Sequence, residues 1–356
     1  MIKNKKCIKK TKILAVNFGG IGDEILFFPT LKTLKTLYPN SSLTLVLEPR
    51  SKSAKELTSL IDAVITCDIK GRSKYLNIIK LLFKIFSGQY NIVISSGSSK
   101  SVAILLFFMG IRKRFGYNTG LLSKILLTKT VSLNKNQYAA CMYHDLTKAI
   151  KDNQECCLPE IDVSSENLLW ASQKIGDREN KQVITIHPGV SKLSVEKNMI
   201  KFWSVQNWTD LIVKLLCSGK YKVVLTGGPD DEVTLLQIKS ELAKYDFPED
   251  NLTDLCGQTQ NISQLAAVIR LSDLLVCVDS APMHLAVGVK SKVAAIFGPT
   301  DDRKLLPPND QRFVAVKEDN LECRPCLWEK RQTTCEFVNC MNISPTKVFQ
   351  VIEKTL

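Results

Sequence analysis

The sequence predicts an α/β protein built as two doubly wound parallel-sheet domains. Three observations carry this. The chain has 356 residues, beyond the size at which one hydrophobic core stops growing, so two domains are expected. Short runs of consecutive apolar residues, such as Leu274–Val278, read as strands covered on both faces, as in parallel sheets. Strand-like and helix-like segments alternate in two blocks, with the polar run Gly176–Lys181 between them.

In the first block Lys12–Phe18 reads as a strand, Gly19–Gly22 as a loop and Asp23–Tyr38 as an amphipathic helix. Leu26, Phe27, Thr30, Leu31, Leu34 and Leu37 recur there at helical spacing, and Pro39-Asn40 ends it. Strands follow at Leu43–Leu47, Val64–Cys67 and Ile92–Ser95, and helices at Ser53–Leu60, Lys74–Phe86 and Ser99–Met109. A helix within Ser164–Gln182 closes this half. The second block repeats the alternation, with strands at Val183–His187, Lys222–Thr226, Leu274–Val278 and Val293–Phe297. Its helices are Phe202–Leu216, Glu232–Lys244 and Ser263–Leu271, with another entered through Pro282. The expected division is 1–175, then 176–345, then a C-terminal helix within 346–356 that returns to pack on the first domain. Gly176–Lys181 is the expected hinge.

Composition is ordinary for a globular protein, but the formal net charge of +13 is not. Such an excess implies an anionic partner: nucleic acid, nucleotide phosphates or an anionic membrane surface. Lys3, Lys5, Lys6, Lys9, Lys10 and Lys12 crowd at the start, as a solvated tail or a membrane contact. The apolar run Ile13–Val16 is too short for a secretory signal. Val102–Met109 covers half a bilayer core, so no spanning helix is expected. Twelve cysteines without a signal argue against a secreted disulfide scaffold. Eight are scattered and read mostly as small buried apolar residues.

The most informative stretch is Leu274–Ala286, LLVCVDSAPMHLA. Asp279 or Ser280 would cap the helix, Pro282 suits its first turn, and the free amides there favour an anion. One turn further on stands His284, one of three histidines. DSAPMHLA, followed by AIFGPTD, resembles the donor-site signature of glycosyltransferase family 9, the ADP-heptose:lipopolysaccharide heptosyltransferases. Ala281 stands where that family usually has glycine. The resemblance implies the GT-B architecture, two Rossmann-like domains facing a central cleft, with Asp279, Ser280, Ala281 and His284 on the donor.

Other stretches match the same family. Gly20-Ile21-Gly22-Asp23 by itself makes Asp23 a good helix cap. The resemblance implies that Asp23 is the general base and puts Gly22 beside the donor. Both roles fit only if one carboxylate oxygen stays free of the cap. Ser95–Ser101 with Lys100, then Arg112 and Arg114, are implied to hold an anionic acceptor; solvated basic residues are the plainer reading. His187 to Ser191 forms a small-residue turn whose amides suit a phosphate. Lys201-Phe202-Trp203 matches a Lys-x-Trp motif whose lysine meets the donor diphosphate, while Trp203 reads as core. Thr226–Glu232 offers Gly227 for close approach and Asp231 or Glu232 for ribose hydroxyls. Leu255-Cys256-Gly257 and Ser263–Leu265 resemble the run flanking the base pocket.

Three features need separate treatment. Cys323, Cys326, Cys335 and Cys340 have metal-like grouping, and structural zinc, a redox-labile pair and reduced thiols all stay open. His144 reads as structural. Asp301-Asp302 reads as capping, not metal binding.

The expected function is that of an inverting glycosyltransferase needing no metal or other cofactor. It moves heptose or a related sugar from an ADP-sugar to a lipopolysaccharide core acceptor, with Asp23 and Lys201 catalytic. The alternatives are a nucleotide-sugar epimerase of the same fold and a non-catalytic glycan-assembly partner. The expected partners are the nucleotide-sugar and an anionic glycolipid, without nucleic acid. The expected location is cytoplasmic, with peripheral contact at the inner membrane.

Overall fold

The computed structural model describes residues 10–189, 201–327, 335 and 338–356. The chain divides into two units after Pro159.

The first unit is organised on six parallel strands. β1 (Thr11–Val16), β2 (Ser41–Leu47), β3 (Ala63–Thr66), β4 (Ile92–Ser95), β5 (Lys113–Tyr117) and β6 (Lys129–Val131) lie in the order β3-β2-β1-β4-β5-β6. Helix α1 (Ile21–Leu37) joins β1 to β2; α2 (Lys74–Gly88), α3 (Lys100–Phe108) and α4 (Leu121–Leu126) follow β3, β4 and β5. The chain moves one way across the sheet from β1 to β3, then the other way from β4 to β6. Right-handed crossovers therefore put α2, α3 and α4 on one face and α1 on the other. Packing agrees: Leu81 and Ile85 of α2 and Ala103 and Leu106 of α3 share one core with Leu14, Val16, Val46 and Val93. On the opposite face α1 packs on α5 (Ala139–His144).

The second unit repeats the plan. β7 (Gln182–His187), β8 (Tyr221–Leu225), β9 (Leu252–Asp254), β10 (Leu274–Val278), β11 (Lys292–Phe297) and β12 (Phe313–Lys317) run parallel in the order β12-β11-β10-β7-β8-β9. Its helices include α6 (Ser165–Ile175), α7 (Val205–Cys217), α8 (Glu232–Leu242), α9 (Ile262–Leu271), α10 (Ala281–Gly288), the single turn α11 (Asp302–Leu305) and α12 (Pro345–Thr355).

Several expectations are corrected here. The division falls after Pro159, not at 175, because Ala171 and Ile175 of α6 join Val183, Ala267 and Val268 in a second-unit core. The run Gly176–Lys181 lies inside that unit, with Arg178 bound to Asp273 and Lys181 to Asn251. The C-terminal helix α12 packs on its own unit, since Val348 and Ile352 are buried with Trp208 and Leu211. Ser53–Leu60 is not an α-helix; Pro49–Leu57 forms a 3₁₀ helix. The strands β5, β6, β9 and β12 are additions to the expected set. One disulfide joins Cys141 to Cys156, and Cys217 is exposed, so not all scattered cysteines act as buried apolar residues.

Candidate active site

Open α/β sheets bind ligands at the carboxyl ends of strands, where the strand order reverses. In the first unit the reversal lies between β1 and β4. Asp23 stands there, in the first turn of α1. Its Oδ2 accepts the Gly20 amide at 2.8 Å, closing the turn. Its Oδ1 accepts the Tyr143 hydroxyl at 3.2 Å. Each carboxylate oxygen has a further lone pair for a ligand. A Cβ on Gly19 would lie 2.2 Å from Asp23 Cβ, so glycine is what lets the loop close over this residue. The Ser96 hydroxyl donates to Asn17 Oδ1 at 2.6 Å and ties the ends of β4 and β1 together.

The residue after Asp23 is Glu24, which is fully buried. Burial first, then the nearby charges of Asp23 and Glu48, push its carboxyl well above the usual range. At the same edge Glu48 follows β2 and is held by Arg50 at 2.7 Å and Lys70 at 2.6 Å. Sequence reasoning missed Tyr143, Glu24, Arg50 and Lys70. Only Glu24 left a signal, an acid set into an apolar helix face.

Lys100 starts α3 at this carboxyl edge and is exposed. Arg112 and Arg114 do not join it. Helix α3 carries the chain back to the amino edge, where Lys113 pairs with Ile92 at the start of β4. Arg114 is spent on structure: its Nε donates to the Leu126 carbonyl at 2.7 Å, and its guanidinium lies 5.5 Å from the Phe107 ring centre.

In the second unit the reversal lies between β7 and β10. His187 ends β7, and Asp279 and Ser280 follow β10. Lys201 Nζ donates to Asp279 Oδ2 at 2.7 Å, and the Thr300 hydroxyl donates to the same oxygen at 2.7 Å. Burial alone would raise the Asp279 carboxyl. The Lys201 charge, these two bonds and His284 outweigh it and hold the group below its ordinary value. Ser280 caps α10 without a side-chain bond to the helix, and its hydroxyl turns back to the Val278 carbonyl. Ala281 and Pro282 open α10 and His284 is buried within it.

His187 Nδ1 meets the Thr226 hydroxyl at 3.1 Å, and its Nε2 lies 3.5 Å from Asp231 Oδ2. Burial pushes the imidazole down to about 4 and the Asp231 carboxyl up to about 6. The imidazole is therefore neutral at pH 7, and the contact is not an ion pair. Asp231 also accepts the Gly228 amide at 2.9 Å. A Cβ on Gly189 would fall 2.0 Å from the Asp231 carboxyl, and one on Gly227 would fall 2.3 Å from Leu235. Glu232 is exposed at the start of α8. Ser191 lies outside the described residues. Trp203 is core, with its indole donating to the Ile343 carbonyl at 2.9 Å.

The profile of glycosyltransferase family 9 (heptosyltransferase) matches residues 78–336. The chain belongs to this family. Lipooligosaccharide heptosyltransferase 2 of Campylobacter jejuni is 30% identical over 182 residues, 50% of this chain and 52% of that enzyme. The chain thus spans about half the length of that curated relative. The structure of a family 9 glycosyltransferase from Veillonella parvula has a TM-score of 0.77 at 21% identity, with 97% of each chain covered. The E. coli heptosyltransferase WaaC, solved with ADP-2-deoxy-2-fluoro heptose, has a TM-score of 0.71 at 16% identity, covering 97% of this chain and 100% of that one. These likenesses show the GT-B fold.

Two further parts of this family 9 chain bear on the site. Arg324, between Cys323 and Cys326, donates to the Gly298 carbonyl at 2.5 Å and to the Thr300 carbonyl at 3.1 Å, fixing the loop that holds Asp279. Asp301 caps α11 and is gripped by Arg303 at 2.9 Å through both oxygens. The thiols of Cys326 and Cys340 are pushed up by burial and then by the neighbouring cysteines. Among the described residues no group of three or more His, Cys, Asp or Glu is placed to hold a metal ion. His144 is buried and meets Thr33 Oγ1 at 2.8 Å.

Proposed function

We propose that this family 9 chain transfers a heptose, or a related sugar, from an ADP-sugar to a core sugar of a lipopolysaccharide-type glycolipid, with inversion. The observation that carries the reading is the placement of its acid and its cation. Asp23 occupies the reversal point of the first sheet, and the Lys201–Asp279 pair occupies that of the second. The donor assignment draws on the E. coli relative solved with an ADP-heptose analogue. The acceptor draws on the Campylobacter lipooligosaccharide enzyme.

In the proposed reaction Asp23 takes the proton of the acceptor hydroxyl as that oxygen bonds to the anomeric carbon. The bond from that carbon to the diphosphate oxygen breaks, and its electron pair leaves with ADP. Lys201 meets the charge gathering on the diphosphate, with the first amides of α10 beside it. Asp279 aims the lysine, whose ammonium has two further N–H bonds for phosphate oxygens. His187, neutral at pH 7, and Asp231 line the nucleotide side. Exposed Lys100 is the cation offered to an anionic acceptor at this edge, in place of Arg112 and Arg114, while Arg50 and Lys70 are paired with Glu48.

The reaction proceeds at the cytoplasmic face of the inner membrane and needs no metal. An epimerase would convert the sugar of ADP-heptose supplied alone. Incubation with ADP-heptose, with and without a core oligosaccharide, separates the readings. Transfer leaves the donor sugar unchanged until acceptor is added, then forms the extended oligosaccharide. Altered sugar without acceptor, or no product with it, would sink the reading.

A further inference from the structure

We propose that the outer face of α2, α3 and α4 lies on an anionic lipid bilayer, partly inserted among the headgroups. The first observation is exposure. Tyr75, Phe83, Phe86, Phe108, Leu121 and Ile125 are each 66% to 76% exposed. The core face of α2 is already satisfied, with Leu81 and Ile85 buried, so its second face is aromatic where a water-facing helix is polar. The three helices follow β3, β4 and β5 on one face of the sheet, and α3 packs on α4. Phe86, near the end of α2, lies 3.6 Å from where a Gly110 Cβ would stand, at the end of α3. The exposed residues therefore lie on neighbouring helices of one sheet face, not scattered singly over the chain.

The second observation is charge. Between Asp68 and Asp145 the sequence has no acidic residue and twelve lysines and arginines. The rest of the chain is balanced, with 36 basic residues to 35 acidic. Nearly all of the net charge thus belongs to the stretch that carries the aromatic patch. Aromatic and aliphatic side chains flanked by lysines match the two layers of an anionic membrane surface, acyl chains below and phosphates above. Nucleic acid would match the charge and leave the aliphatic residues in water. The helices have 15, 9 and 6 residues, too short to cross a bilayer, so they lie in its surface. Because α3 starts at Lys100, beside the first-unit crevice, docking brings that crevice to the lipid. The purpose rests on the proposed glycolipid acceptor; the surface does not.

The test is sedimentation of the full chain with vesicles of phosphatidylcholine, with and without phosphatidylglycerol. Wild type should sediment with the anionic vesicles only. Phe83→Ser/Phe86→Ser and Lys80→Glu/Lys84→Glu should each lower its partition coefficient at least about tenfold. Both variants should keep wild-type transfer to a soluble, delipidated oligosaccharide. Phe86→Trp, which preserves an aromatic side chain, should add tryptophan emission that brominated lipid quenches. Absence of vesicle binding by wild type would overturn the proposal, as would undiminished binding by both double variants or unquenched added emission in Phe86→Trp. A dimer that the Phe variant dissociates, with no vesicle affinity, would assign the face to a second copy and also overturn it. Vesicle binding without transfer to the soluble acceptor would overturn the proposed function and leave this surface standing.

Discussion

Tyr143 donates its hydroxyl to Asp23 Oδ1 at 3.2 Å, joining residues 120 positions apart in the chain. Burial and then the Asp23 charge hold the phenol well above its ordinary range, so it stays a donor. Phe27 meets the Tyr143 ring edge-on at 5.9 Å between centroids and fixes its direction. One carboxylate oxygen is thereby held by the backbone turn and the other by the tyrosine, which fixes the plane of the carboxylate.

Asp23→Asn should lower transfer by about 10²–10⁴, the usual contribution of a general base, and leave ADP affinity within a few-fold. Tyr143→Phe should lower kcat by about tenfold, the worth of one bond to a charged group, without raising the donor KM. Steady-state kinetics and ADP titration check both. Near-normal turnover of a folded Asp23→Asn would reduce Asp23 to a helix cap.

Glu24 gives a pH prediction. Its carboxyl is raised in the folded protein, so folding binds a proton there. The stabilisation is complete below the ordinary glutamate pKa and is lost as pH rises through the folded value. Glu24→Gln keeps the shape without the charge. It should melt above wild type at pH 8, by about 2–4 °C for a gain of about 1 kcal/mol. The difference should shrink below pH 5. Equal melting curves at both pH values would contradict the buried charge.

Lys201→Ala should weaken ADP binding and leave adenosine binding nearly unchanged if, as proposed, the lysine meets phosphate. It should also cost stability, about 3–5 kcal/mol, because Asp279 is left as an unpaired buried carboxylate. Asp279 is lowered in the folded state, so the pair contributes above the ordinary aspartate pKa and its contribution is lost as pH falls through the folded value. Lys201→Met with Asp279→Leu should recover most of the melting temperature and none of the transfer. Equal weakening of ADP and adenosine would remove Lys201 from the phosphate.

Exhaustive chelation should leave transfer intact, because in the proposed reaction lysine and backbone amides take the place of a divalent ion. Activity lost with the fold retained would contradict this. Activity lost together with the fold would point instead to structural metal at Cys323, Cys326, Cys335 and Cys340.

The inner strands are legible in the sequence because burial on both faces leaves an unbroken apolar run. Leu274–Val278 reads with its observed bounds and is wholly buried. The strands missed lie at or near sheet edges and mix charge with apolar residues, as Lys113–Tyr117 and Phe313–Lys317 do. Asp23, Lys201 and Asp279 are legible through local motifs that follow strands. Tyr143, Arg50 and Lys70 are not, because their places beside Asp23 and Glu48 come from folding separate segments to one edge. Arg112 and Arg114 mislead because a basic pair in sequence says nothing about which end of a strand it occupies.

The contact between Gly189 and Asp231 limits how this chain can vary. A methyl at 189 would land 2.0 Å from the carboxyl, so any side chain there competes with the acid for one volume. In a saturation library, substitutions at 189 should survive only alongside a smaller residue at 231. The two positions then form an epistatic pair, one locked from the backbone side and the other from the side-chain side.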